Sequence, residues 1–139
     1  MKLKATAYWT TTAILAFVLL SGGAAQLLRL PDNVEGMQRL GYPAYLLTIL
    51  GVWKLLGGIA ILVPRFPRSK EWAYAGAFFE LSGAAASNAF AGSGWGHVVA
   101  PAAFALIALA SWSLRPASRT LGVLWPQLEA PLRQAQPAT

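Results

Sequence analysis

Long apolar segments alternate with short polar connections along most of this chain. Four segments are largely apolar, at about residues 8–30, 43–63, 71–91 and 97–114. Each is close to the roughly 20 residues that an α-helix needs to cross the hydrocarbon layer of a bilayer. The pattern therefore predicts an all-α integral membrane protein in which residues 1–116 form a four-helix bundle.

The C-terminal segment, residues 117–139, follows a different pattern. Its apolar residues recur at helical spacing with polar residues between them: Leu121, Leu124, Trp125, Leu128 and Leu132. This spacing favours an amphipathic helix lying on the membrane surface. Pro126 and Pro131 would kink or break such a helix, so a partly disordered tail fits the sequence equally well.

The basic residues are divided unequally between the two sides of the predicted bundle. Eight of the 11 lysine and arginine residues fall on the side of the amino terminus: Lys2, Lys4, Arg65, Arg68, Lys70, Arg115, Arg119 and Arg133. Cytoplasmic segments of membrane proteins carry an excess of such residues, so both termini are expected in the cytoplasm. The alternative for residues 1–25 is a cleaved signal peptide, which would leave the orientation of the other spans unchanged.

Composition narrows the chemistry that the chain can perform. Of its 139 residues, 56% are hydrophobic and 12% are charged, and the charged share is roughly half that of a soluble domain. The absence of cysteine excludes disulfides, iron–sulfur clusters and thiol chemistry. The net charge of the chain is +6, and its basic residues flank apolar segments. This arrangement indicates a lipid bilayer as partner and not nucleic acid.

Two opposite charges lie inside the predicted spans. Lys54 is nine residues before the end of the second span, and Glu80 is nine residues after the start of the third. At about 1.5 Å per residue, both lie roughly 13 Å from the same membrane edge. An unpaired charge at that depth would cost at least about 2.5–3.5 kcal/mol, so we predict an ion pair or hydrogen bond between Lys54 and Glu80. These two residues are also the candidate catalytic groups.

Other polar residues lie farther from the cytoplasmic edge: Gln26, Ser87, Asn88 and His97. Together with the charged pair they predict a polar seam, and a cavity open to the outer side whose floor is the pair. The alternative is a set of hydrogen bonds that only fixes the register of the helices. His97 is the sole histidine, and one imidazole provides too few ligands for a metal or haem site, so neither cofactor is expected.

Small residues surround both charges. Gly51, Gly57 and Gly58 lie within four positions of Lys54, while Gly76, Gly83, Ala84 and Ser87 share the helix face of Glu80. Such faces allow helices to approach closely. Trp53, next to Lys54, would either line a ligand pocket or pack inside the bundle, and packing is the commoner outcome.

Two stretches carry a resemblance to a known family. They are residues 50–58, L-G-V-W-K-L-L-G-G, and residues 70–87, K-E-W-A-Y-A-G-A-F-F-E-L-S-G-A-A-A-S. The order of the lysine, the E-W-A-Y-A-G run, the intramembrane acid and the G-A-A-x-S stretch resembles the DoxX-like family of small bacterial four-helix membrane proteins, from the first span to about Arg119. The resemblance implies the four-helix fold and location in the bacterial cytoplasmic (inner) membrane.

The resemblance also bears on cofactors. The family name derives from a resemblance to a subunit of a thiosulfate:quinone oxidoreductase, so a quinone is one candidate cofactor, but the resemblance supports the fold and does not establish a cofactor or a reaction. Similar sequences are expected to have histidine where this chain has Asn88. That difference argues further against a metal, haem or proton-relay role at this position.

Three functions are compatible with these residues. The favoured one is a binding or accessory protein whose polar seam holds a small lipophilic ligand or whose surface docks a partner. The second is a component of a quinone-linked membrane oxidoreductase, with a redox partner protein and with Lys54, Glu80 or His97 moving protons. The third is a non-redox enzyme with Glu80 as general base and Lys54 as stabilising charge. The sequence leaves open whether the chain forms a homo-oligomer.

Overall fold

The computed structural model describes residues 1–121, which form five α-helices and one short 3-10 helix with no strand among them. The elements are α1 (Lys2–Leu27), α2 (Pro31–Leu40), α3 (Tyr45–Leu62), α4 (Pro67–Phe90), α5 (Trp95–Ser113) and the 3-10 helix (Ala117–Arg119). Most of the predicted amphipathic or disordered tail lies outside the described residues, so that prediction is untested.

Three helices, α1, α3 and α5, are long and apolar enough to cross a membrane. Many of their large apolar side chains face outward, and Phe17, for example, is 72% exposed while Leu106 is 66% exposed. A water-soluble protein rarely exposes apolar surface on this scale, whereas a bilayer covers it. The described part of the chain is therefore an all-helical integral membrane protein. α4 has 24 residues but is less apolar than the other three.

The four long helices occupy the four predicted apolar segments, with ends that differ by a few residues. The structure adds α2, which lies where we predicted only a connection. Its sequence carries the usual helix signals, because Pro31 stands at its first position and Gly41 follows its last residue with φ of 75°. Gly41 adopts this left-handed conformation without the strain that a side chain would cause.

The helices pack in a ring, with α1 against α3 and α5, and α4 against α5. α3 and α4 are antiparallel neighbours but pack less closely than the other adjacent pairs. We call the end with the α3–α4 connection the basic end, and the opposite end, with α2, the α2 end. Apolar residues from all four long helices form the core: Leu15, Leu19, Ile61, Tyr74, Ala77, Leu81, Ala105 and Ala108.

Glycines bring α1 and α3 into close contact, as predicted for Gly51 and Gly58, whereas a Cβ atom at Gly57 would come no nearer than 4.0 Å to α1. A Cβ atom at Gly51 would lie 2.8 Å from Leu27 Cγ, and one at Gly58 would lie 2.8 Å from Leu20 Cδ2. The corresponding prediction for α4 was wrong, because a Cβ atom at Gly76 or Gly83 would meet nothing within 4 Å. The tight interface is therefore α1–α3, and α4 keeps open space beside its glycines.

Lys70 fastens α4 to the end of α3. Its side chain is fully buried, and its ammonium group donates hydrogen bonds to the carbonyl oxygens of Ala60, at 2.6 Å, and Ile61, at 3.0 Å, and also to that of Val63. Carbonyl groups in the last turn of a helix lack partners within the helix. Lys70 thus donates hydrogen bonds to these carbonyl groups and holds the two helices together at the basic end.

Candidate ligand-binding site

Lys54 and Glu80 form the predicted ion pair. Lys54 Nζ lies 3.1 Å from Glu80 Oε1, and the two side chains are only 14% and 19% exposed. The lysine side chain passes beside Gly22 of α1, since a Cβ atom there would lie 3.8 Å from Lys54 Nζ. The prediction of this contact is confirmed, and the pair stands where α1, α3 and α4 meet.

A groove of about 780 Å³ lies between α3 and α4, and it extends mostly from the pair toward the basic end. It is lined from α3 and α4 by Leu50, Trp53, Leu56, Gly57, Ala60, Arg68, Ser69, Trp72, Ala73, Gly76, Ala77 and Glu80. Its volume is within the range of about 300–1,000 Å³ that is typical of small-molecule sites. The groove is open along one side, so in a membrane it faces the lipid.

Small side chains and two polar contacts between α3 and α4 explain why this groove exists. Gly57 and Ala60 on α3 face Gly76 on α4, and none of the three extends far enough to fill the space between the helices. Lys70 fixes the helices to each other at the basic end, and the Lys54–Glu80 pair fixes them near mid-helix. These two polar contacts join α3 and α4, and the small side chains between the contacts leave the groove unfilled.

The groove runs from the charged pair toward the basic end, where Arg68, Ser69 and Trp72 line it. The predicted cavity runs from the pair in the opposite direction. Polar residues at similar depths along their helices were expected to face one cavity. Depth alone does not determine which helix faces are turned toward one another, and this is why the direction differs.

The polar residues assigned to the outer part of the seam have separate surroundings. Gln26 is 6% exposed, and within residues 1–121 its Oε1 atom has no hydrogen-bond partner. Asn88 Nδ2 donates to a backbone carbonyl of its own helix at 2.9 Å, and the Ser87 hydroxyl is 2.8 Å from the Tyr42 hydroxyl. His97 is exposed. Among the described residues, no hydrogen bond connects any of these four with the charged pair.

Trp53 lines the groove and is 66% exposed. It is therefore not packed inside the bundle, although packing there was the commoner of the two expected outcomes. Trp72 lines the same groove nearer the basic end and is 83% exposed. Indole rings favour the level of the lipid headgroups. A tryptophan near the basic end of the groove suits that level.

A buried cluster of hydroxyl groups was not predicted from the sequence. The Ser111 hydroxyl lies 2.7 Å from the hydroxyls of both Thr12 and Tyr74, and so connects α5 with α1 and α4. Tyr8 is buried too, and its hydroxyl has no hydrogen-bond partner in the part of the chain that the structure describes. Tyr8, Thr12 and Leu15 recur at helical spacing, which was the available signal for a buried face. The cluster fixes the register of three helices.

A second ion pair joins α4 and α5 at the basic end. Arg115 Nη2 donates to Glu71 Oε1 at 2.6 Å, and the Trp112 indole N–H donates to Glu71 Oε2 at 2.8 Å. The Arg119 guanidinium donates to the carbonyl oxygen of Ile61 at 3.2 Å. Both carboxylate oxygens of Glu71 are thus engaged on the side of α4 that faces α5, away from the groove.

The site offers a carboxylate, an ammonium group and apolar walls. Within residues 1–121, no three side chains of the metal-ligating types come together. Helices of membrane-spanning length around a buried Lys–Glu pair define an α-helical integral membrane protein with a lipid-facing groove. The model of one family, described as the DoxX-like family, matches residues 10–111, which include the pair and every residue that lines the groove.

The chain therefore belongs to the DoxX-like family, as its sequence motifs indicate. No curated protein and no solved structure matches it.

Proposed function

We propose that this protein crosses the membrane four times, with both termini in the cytoplasm, and binds a small lipophilic molecule in the groove between α3 and α4. In this proposal it is a binding or accessory protein of the bacterial cytoplasmic membrane. The observation that carries the proposal is the groove itself, whose apolar walls end at a buried ion pair. Such a combination suits a molecule that is mostly hydrocarbon and carries few polar groups.

The connection between α3 and α5 supports a fourth span. Both helices run from the α2 end to the basic end, so α4 must return the chain between them. Its 24 residues extend about 36 Å, enough for a hydrocarbon layer of about 30 Å. Three of the four charged residues of α4 have partners, since Glu80 pairs with Lys54, Glu71 with Arg115, and Lys70 with carbonyl groups of α3. The fourth, Arg68, lies in the first turn of the helix at the basic end.

The distribution of basic residues supports the orientation. Seven of the lysines and arginines in the described residues lie at the basic end: Lys2, Lys4, Arg65, Arg68, Lys70, Arg115 and Arg119. At the α2 end, Arg29 and Arg39 are accompanied by Asp32 and Glu35. The positive-inside rule therefore favours the basic end as the cytoplasmic side.

Cysteine labelling tests both the number of spans and the orientation, because the chain has no cysteine of its own. Gly36→Cys places a thiol on α2, where a Cβ atom meets nothing within 4 Å, and Ser118→Cys places one at an exposed position of the basic end. A membrane-impermeant maleimide should label intact cells at position 36 only, and position 118 only after permeabilisation. Labelling of both positions from one side would indicate three spans, and the reverse pattern would contradict the orientation.

Blocking the groove tests ligand binding. Gly76→Leu adds a four-carbon side chain inside the groove at a position where no neighbouring atom obstructs its Cβ. Gly83→Leu is the matched control, since its Cβ is equally unobstructed but it does not line the groove. Native mass spectrometry of the protein extracted from membranes should show a bound lipophilic molecule in the wild type and in Gly83→Leu, and not in Gly76→Leu. Equal occupancy in all three would refute the proposal.

The same measurement separates the alternatives considered from the sequence. A quinone as the bound molecule would favour the oxidoreductase component, whereas a lipid would favour a binding role. The geometry gives less support to Glu80 as a general base. Its Oε1 atom is engaged by Lys54 at 3.1 Å, so only Oε2 would be available to accept a proton from a substrate.

A further inference from the structure

The groove is amphipathic along its length. Glu80 lines it at the end near the charged pair, where Lys54 neutralises the carboxylate, and its middle is apolar. Its end at the membrane interface is lined by Arg68, Ser69 and Trp72. A molecule that fills the groove would therefore meet a net positive charge only at the interface.

Arg68 differs from the other cationic groups around it. Lys70 donates hydrogen bonds to carbonyl groups of α3, and Arg115 forms an ion pair with Glu71. Arg119 donates hydrogen bonds to the carbonyl oxygens of Ile61 and Leu62. Within residues 1–121, no carboxylate lies within ion-pair distance of Arg68. Arg68 is thus the cation that lines the groove and has its guanidinium available for a ligand.

The length of the groove matches one leaflet of the bilayer. Arg68 and Glu80 are 12 residues apart on α4, which corresponds to about 18 Å along the helix axis. Half of the hydrocarbon layer is about 15 Å thick. A lipid that enters sideways from the leaflet at the basic end would have its headgroup at the level of Trp72 and one acyl chain reaching toward Glu80.

We propose that the groove binds an anionic lipid of the leaflet at the basic end, with one acyl chain between α3 and α4 and the charged headgroup beside Arg68. This inference rests on the proposed function, since it requires that the groove hold a lipophilic molecule. It adds the class of ligand, its orientation and the residue that selects its charge. A guanidinium group suits this role because its donors match the oxygen atoms of a phosphate.

The test compares two lipids with the same acyl chains, dioleoylphosphatidylglycerol and dioleoylphosphatidylcholine. The apparent dissociation constant of each is measured by native mass spectrometry on the full-length protein. The wild type should bind the anionic lipid more tightly, and Arg68→Gln should reduce that preference about fivefold, as expected for the loss of one ion pair near the membrane surface. Arg65→Gln, which removes the same charge from a residue of the adjoining α3–α4 connection that does not line the groove, should leave the preference unchanged.

Several results would overturn the inference. Equal affinity of the wild type for both lipids would do so, as would an equal loss of preference in Arg65→Gln and Arg68→Gln, because either would indicate no specific headgroup contact. Gly76→Leu distinguishes this failure from failure of the proposed function. If Gly76→Leu weakens binding of both lipids while Arg68→Gln has no effect, the groove binds lipid without selecting its charge. If Gly76→Leu changes neither affinity, binding in the groove itself is refuted.

Discussion

Replacing Lys54 by methionine should destabilise the protein through the charge that it leaves behind. Glu80 is 19% exposed and has Lys54 as its ion-pair partner at 3.1 Å. An unpaired charge near the middle of a span costs about 2.5–3.5 kcal/mol on insertion scales, and breaking a buried pair typically costs about 3–5 kcal/mol. We expect Lys54→Met to lower the free energy of unfolding by about 3 kcal/mol.

The converse change should cost less. Glu80→Gln keeps an oxygen atom that can accept a hydrogen bond from Lys54, and the long lysine side chain can redirect its ammonium group toward a more polar level. A loss of about 1–2 kcal/mol is expected. The double variant Lys54→Met/Glu80→Gln removes both charges and should be closer to the wild type than Lys54→Met alone.

The free energy of unfolding can be measured by titrating the protein with sodium dodecyl sulfate in mixed micelles and following helicity by circular dichroism. Lys4→Met removes an exposed cation from the same protein and should change the free energy by less than about 0.5 kcal/mol. A favourable coupling of about 2 kcal/mol between the two positions is expected. If the losses of the single variants instead add up in the double variant, the ion pair does not stabilise the fold.

Two further changes test the packing of the helices. Ser111→Ala removes the hydroxyl that lies 2.7 Å from those of Thr12 and Tyr74. Leaving these buried groups without that partner should lower the free energy of unfolding by about 1–3 kcal/mol in the same titration. An unchanged midpoint would contradict the structural role of the cluster. Gly51→Ala would place a Cβ atom 2.8 Å from a side chain of α1, so a loss of about 1–3 kcal/mol is expected, whereas Gly83→Ala, with open space around its Cβ, should be neutral or slightly stabilising. Equal behaviour of the two glycine variants would show that α1 and α3 do not meet closely at Gly51.

The sequence determined the features that follow from periodicity and charge. Four apolar segments gave the positions of the long helices, and the cost of an intramembrane charge required that Lys54 have a partner. Equal depth on antiparallel neighbours identified that partner as Glu80, and the structure confirms it. The family motifs could also be recognised in the sequence, because they depend only on the identity and order of residues.

Tertiary packing determined the rest. Gly51 and Gly76 are the same residue type in similar surroundings along the chain, yet Gly51 closes the α1–α3 interface and Gly76 leaves a groove open. The difference depends on the rotation of each helix about its axis and on which neighbour packs against it, and neither is encoded in depth along a span. For the same reason the sequence could place Arg68 at a membrane edge but could not show that it lines a groove. The rotation of each helix depends on many contacts between helices, and these contacts exist together only in the folded bundle.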